Sequence, residues 1–482
     1  MSIIPRSLIV LLPLFCASYS SVQQAAPQPS SETNVVAFVH AAVIPMDKER
    51  LIADQTVLTA GGKIVEIGPS SSVQVPKGAL RVDATGRYLL PALSDMHVHL
   101  LSEAWNMMLP PDALAEAAGK ALPEEDFLFP FIANGVTMVQ GLSATPPEIA
   151  LRKRIEQGEI LGPRLILARM IDAPGKGWPE PLSAKAATAD EAREVVDRAK
   201  AEGYDKMKVY TFIEKEPYDA TIFASHGHGM DVIGHIPAKL SVEYVLEAGQ
   251  KMIAHTEEVA RHADGDYSPE RIDYYADLMA KRGVWLTPTL VTTRAIMRVH
   301  NDFDGLMSEP ENGYYHHPLQ QAVWSFIANN LYQPHPAAVR QRIRDDFQKF
   351  QQPLTKAFHD KGGKLLIGTD AAFPGLVPGF ALHKELLELV EVGLTPYEVL
   401  KAAATEPFEY LGEADRAGTI EVGKQTDLLL LDENPLQDVR AASRISGVLM
   451  RGRWIGAEEI HRRMQGIAAA PRAADEEPAQ GR

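Results

Sequence analysis

The run Asp95-Met96-His97-Val98-His99 places two imidazoles two residues apart at the end of the apolar stretch Leu89-Leu90-Pro91-Ala92-Leu93. Side chains alternate along an extended strand, so His97 and His99 project from one face and can chelate a single metal ion. Alone, the pair reads equally well as two incidental histidines. Other polar residues end apolar stretches in the same way. Lys208 lies in Lys206-Met207-Lys208-Val209-Tyr210, His235 follows Asp231-Val232-Ile233-Gly234, His255 follows Met252-Ile253-Ala254, and Asp370 follows Leu366-Ile367-Gly368-Thr369. One shared site explains them more economically than a separate structural reason for each.

The elements that would position them alternate. Candidate strands are Leu93–Met96, Gly135–Gln140, Arg164–Ala168, Lys206–Tyr210, Met230–Gly234, Lys251–Ala254, Val284–Thr287 and Lys364–Gly368, with amphipathic stretches such as Ala189–Glu202 and Ser241–Ala248 between them. Eight strands in such alternation predict an α/β fold, a (β/α)8 TIM barrel over 91–414, whose site sits at the C-terminal ends of the strands. Short strands at both ends of the chain, among them Val35–Val39, Lys63–Ile67, Gly418–Glu421, Asp427–Leu431 and Gly447–Met450, cannot bury much separately. They predict a small β-sandwich domain formed from both chain termini, 34–90 plus 415–458. Two long connections, Leu100 to Phe131 and Thr292 to Lys361, fall on the catalytic side, and the second carries Tyr314-Tyr315-His316-His317 and Trp324.

The order HxH on strand one, Lys on strand four, His on strands five and six, and Asp on strand eight resembles the amidohydrolase superfamily. Within it the likeness is to imidazolonepropionase-like and prolidase-like metal-dependent members. It covers about residues 34–458 and includes Leu90–His99, Gly234-His235-Ile236-Pro237, Gly368-Thr369-Asp370-Ala371 and Gly423-Lys424-Gln425-Thr426-Asp427-Leu428. Ala92 replaces a usual glycine, and Ala254 an acidic residue; neither removes a ligand. The resemblance implies two divalent metal ions, zinc by preference. His97, His99 and Asp370 would hold the more buried ion and His235 and His255 the more exposed one, with Lys208 bridging both as a carboxylated lysine. It also implies hydrolysis by metal-activated water, with Asp370 as the catalytic base and then acid.

Substrate contacts are less sharply marked. Tyr210 shares a strand face with Lys208 and reads either as a substrate hydrogen-bond donor or as a barrel-layer aromatic. Arg294, just past strand seven, could clamp a carboxylate, and His317, with His316, could touch substrate from the long connection. His226 and His228 precede strand five, at the opposite face. The expected substrate is a small-molecule amide or peptide, an N-acyl amino acid or dipeptide. An ester, lactone or cyclic amide is the alternative for the same metals, and a metal-binding protein without turnover is the reading from another class.

The formal net charge of -15 argues against nucleic-acid and anionic-membrane partners, which select basic faces. Residues 1–20 read as a signal peptide: Arg6, the apolar run Leu8 to Phe15, then Ala17-Ser18-Tyr19-Ser20. The run is shorter than the roughly 20 residues a membrane span needs, so no transmembrane span is expected. Cys16, the only cysteine, lies inside it. A periplasmic or secreted protein without thiols is expected, with a homo-oligomer left open. Residues 21–33 read as a linker and 467–482 as a disordered tail.

Overall fold

The computed structural model describes residues 35–100, 109, 123–314 and 318–469. The expected signal peptide, Cys16, almost all of the expected linker and tail, and His316 and His317 lie outside the described residues. Among those described, no helix is long and apolar enough to cross a membrane.

Eight parallel strands form the path of the central sheet, Leu93–Val98, Val136–Gly141, Arg164–Asp172, Lys206–Val209, Asp231–Gly234, Met252–Ala254, Trp285–Thr287 and Lys364–Leu365, with the short Ala184–Lys185 off that path beside Arg164–Asp172. Each pairs with the next in sequence, so every connection crosses over in one sense. The sheet curls until its edges meet. The N–H of Met96 donates to Ile367 O (2.7 Å) and that of Asp370 to His97 O (2.7 Å), and Val98 bridges Ala371. This is a TIM-barrel-like arrangement, and all eight expected strands are present.

The connecting helices follow their local signals. Ala189–Glu202 is capped by Thr188, which accepts from Glu191 N while Glu191 reaches back to the cap, and Gly203 ends it at φ 96°. Ser241 caps Val242–Ala248 by accepting from Tyr244 N, and Gly249 ends it at φ 89°. The expected long loop from Thr292 to Lys361 is instead largely helical, running through Leu290–Asn301, Pro318–Ile327, Ala337–Asp346 and Gln352–Asp360. Trp324 is buried there and donates from Nε1 to Ala372 O (2.9 Å), bracing the segment after Asp370.

Strands from both ends of the chain share a second sheet. Its order is Arg453–Gly456, Ile445–Met450, Leu428–Leu431, Tyr88–Pro91, Val36–Val43, Ile52–Ala60 and Lys63–Pro69, with Leu80–Asp83 beside Val36–Val43. Gly61 and Gly62, at φ 57° and 75°, form the two-residue turn that pairs Ala60 with Lys63. Phe38 meets the Trp454 ring edge-on at 5.2 Å inside an apolar cluster with Val57, Ile64, Leu428 and Leu430. Hydrogen bonds make these strands one continuous sheet. Gly418–Glu421 is not a strand, because Ile420 N donates to Pro45 O outside any ladder. The chain also does not dissolve into a tail at 467: a helix spans Ala457–Ala469, with Arg463 over the Phe129 ring and 3.1 Å from Glu125.

Candidate active site

Five strand ends bring the expected ligands together. His97 and His99 leave the first strand on one face, and Asp370 Oδ1 lies 3.2 Å and 2.9 Å from their Nε2 atoms. Ligand atoms of His97, His255 and Asp370 all lie within 4.8 Å of one another. The His97 ring is centred 4.6 Å from that of His255, which is 5.0 Å from that of His235. Lys208 is fully buried behind them, with its Nζ 5.3 Å from the centre of the Tyr210 ring.

Local backbone geometry aims these groups. Asp95 accepts from Thr369 N (3.1 Å) and Thr369 Oγ1 (2.7 Å), which ties the strand bearing Asp370 to the strand bearing His97. His255, Thr289 and Asp370 have positive φ (71°, 50° and 58°), a strained conformation that turns each strand end abruptly into the site. Gly234 has φ 118°, and a Cβ there would lie 2.4 Å from Val209 O and 2.8 Å from Lys208 Cγ. Strand five can therefore turn His235 inward beside Lys208 only with glycine at this position.

Three of the imidazoles are oriented by hydroxyls at Nδ1: His99 by Ser143 (2.6 Å), His235 by Thr211 (2.9 Å) and His255 by Thr289 (2.6 Å). Such outer contacts fix the ring and its tautomer in metal sites. Burial lowers His97 to about 4 and holds His235 and His255 well below the usual histidine range. Burial pushes Asp370 up, but the His97 and His99 imidazoles outweigh it and hold this carboxyl well below its ordinary range. Burial also lowers Lys208 to about 8, opposed only by the Asp370 charge. At neutral pH the site therefore presents neutral imidazoles and a carboxylate, the forms that bind cations. His97 Nδ1 and His235 Nε2 are buried without a hydrogen-bond partner among the described residues. That donor set, with unsatisfied imidazole nitrogens facing an anionic oxygen, fits divalent metal ions.

A cavity of about 280 Å³ opens over this cluster, lined at its floor by His99, Lys208, His235, His255 and Asp370. Trp178, Ile296, Ile327, Tyr332 and Phe373 form apolar walls. Tyr210 lines it, its ring centred 4.2 Å from that of His235 and its hydroxyl accepting from Trp178 Nε1 (2.9 Å). Arg294 does not line it. Thr292, Thr293 and Ile296 occupy the pocket face of its helix, while Arg294 points across to Glu388 and Glu391 and holds both. The position just past strand seven was right, but the helical turn of about 100° per residue sends this side chain away. Sequence reasoning passed over Glu258 and Arg261, on the helix Thr256–Ala263 that begins directly after His255. Their signal was their place at the C-terminal end of strand six.

The model of the amidohydrolase family matches residues 88–455. Ochratoxinase from Aspergillus niger is 26% identical over 213 residues, 43% of this chain and 34% of that protein, so the match spans about a third of the relative's length. Among solved structures, a Xaa-Pro dipeptidase with methionine bound in its active site has a TM-score of 0.65 at 19% identity, over 88% of this chain and 100% of the other. A putative prolidase from Bifidobacterium longum has a TM-score of 0.64 at 23% identity, over 91% of this chain and 100% of the other.

Proposed function

The chain belongs to the amidohydrolase family, hydrolases of carbon–nitrogen bonds, and from that premise we propose a two-metal enzyme that cleaves the amide of an N-acyl amino acid or dipeptide. The convergence of His97, His255 and Asp370 within 4.8 Å, with His255 and Asp370 on the floor of a small-molecule cavity, carries this reading. His97, His99 and Asp370 would hold one ion and His235 and His255 the other, with zinc the preferred metal. Lys208 would bridge them after its neutral amine adds CO2, releasing a proton and leaving an anionic carbamate. Burial lowers the Lys208 amine to about 8 against the pull of the Asp370 charge, which makes the neutral form accessible.

Bound there, divalent ions make water nucleophilic near neutral pH and polarise the scissile carbonyl. Asp370 removes a proton from the attacking water and delivers it to the amide nitrogen as the C–N bond breaks. Trp178 orients the Tyr210 hydroxyl toward substrate, and the apolar walls take an acyl group or side chain while excluding water. The likeness in fold to a Xaa-Pro dipeptidase and the partial match to ochratoxinase support an amide with an amino-acid half. We also propose export, on the strength of Arg6 and the apolar run Leu8 to Phe15.

A panel of N-acyl amino acids, dipeptides, esters and lactones, assayed with added Zn²⁺, tests the reading. Turnover led by the amides is expected. Turnover confined to esters or lactones would overturn the choice of substrate, and none at all with any added metal would favour a binding protein.

A further inference from the structure

We propose that Arg261 determines substrate specificity by holding the free carboxylate of the amino-acid half of the substrate. This rests on the amide reading above and names the group that the pocket reads.

Among the described residues, the cationic side chains lining the cavity are Lys208 and Arg261. Lys208 is buried at the floor beside the metal ligands, whereas the Arg261 side chain is 38% exposed at the mouth. Arg261 lies six residues past His255 on a helix that starts at Thr256, about 9 Å along the axis at 1.5 Å per residue.

Neighbouring groups hold the guanidinium in place. Glu258, with a side chain 1% exposed, contacts Arg261 Nη2, lies 2.8 Å from His235 Nδ1 and accepts from Ile236 N (3.2 Å). One buried carboxylate thereby sets Arg261 relative to a metal-site imidazole. Glu257 Oε1 is 3.7 Å from Arg261 Nε, a solvent-screened contact that adds little. A guanidinium anchored against Glu258 and partly exposed at the pocket mouth offers a planar fork of donors, which suits a carboxylate better than a lysine would.

Tyr210 offers the complementary donor. Indole N–H can only donate, so the Trp178 bond fixes the Tyr210 oxygen as acceptor and leaves its O–H proton to donate elsewhere. Arg261 lies close enough for its charge to act on both Tyr210 and His235. A carboxylate between Tyr210 and Arg261 would be held by two kinds of donor, and the metal charge adds to the attraction.

The test compares kcat/KM for the best N-acyl amino acid of the panel with that for its carboxamide, on metal-loaded enzyme. The wild-type preference for the acid is expected to be about 10- to 100-fold, the scale of a charge-assisted contact. Arg261→Met should lower the ratio by roughly tenfold, leaving only what Tyr210 and the metal charge supply, chiefly by raising KM for the acid, because the contact is made before and during reaction. Arg261→Lys keeps a charge opposite Glu258, and so guards against loss of fold; its ratio should fall between the two. A ratio as high in these variants as in the wild type overturns the role of Arg261 and leaves the amide reading standing, as would a wild type indifferent to the carboxylate. A wild type that hydrolyses no amide overturns both.

Discussion

Gly234→Ala probes fold and site together. The native φ of 118° lies outside the regions open to alanine, and holding it there costs about 1–3 kcal/mol. The new Cβ would also sit 2.4 Å from Val209 O and 2.8 Å from Lys208 Cγ. Only the second obstacle is a side chain that can swing. The first is a backbone oxygen that accepts the N–H of His235 at 3.0 Å, so moving it weakens the bond that aims this ligand. Overpacking of this sort adds about 1–3 kcal/mol, for a total of about 2–6 kcal/mol. With a urea m-value on the order of 3 kcal/mol/M, the unfolding midpoint should fall by roughly 0.7–2 M. Metal content should fall with it, since both Lys208 and His235 are displaced. Gly158→Ala is the control: its φ is 76° with nothing within 4 Å of the added methyl, so only a backbone cost of about 1 kcal/mol is expected. If Gly234→Ala unfolds at the wild-type midpoint with its full metal content, the close approach of strands four and five is not what positions the site.

Two further substitutions separate structural from functional charge. Arg294→Ala should cost about 1–3 kcal/mol of stability by stranding the buried Glu388, while kcat/KM stays within about twofold; a large kinetic defect would return Arg294 to the substrate site. Burial raises Glu385, which accepts from Leu290 N and Val291 N, to about 8 from 4.5. An acid with a raised folded value binds its proton more tightly when folded, so its contribution is lost as the pH climbs from about 4.5 to 8. Glu385→Gln should therefore gain on the wild type across that window in urea titrations; a constant difference across it would contradict the burial argument.

The candidate ligands were legible because each ends a short apolar stretch, and strand alternation places His97 and His99 on one side without tertiary information. The eight strands were legible for the same reason. Side chains beyond the strand ends were not. Thr-Glu-Glu-Val-Ala-Arg after His255 reads as a solvated helix face, and only the fold turns Glu258 inward to 1% exposure. Arg294 was placed just past strand seven but in a long connection, and the helix Leu290–Asn301 that turns its side chain away from the pocket was not foreseen. Only the last turn of the helix Ala457–Ala469 fell in the stretch read as a tail from 467, which is alanine-rich and charged; Met464 is the buried residue the helix offers to the core. Gly418–Glu421 has strand-like composition, but its neighbour is Pro45 rather than an open strand edge.

The central claim is that six residues on five strands hold two divalent ions. Metal analysis of the purified wild type beside Lys208→Ala tests it most directly. About two ions per wild-type chain are expected, zinc foremost, with a clear loss in Lys208→Ala that a short carboxylic acid or bicarbonate partly restores. A wild type carrying only trace metal, with no activity gained on adding Zn²⁺, Mn²⁺ or Co²⁺, would contradict it.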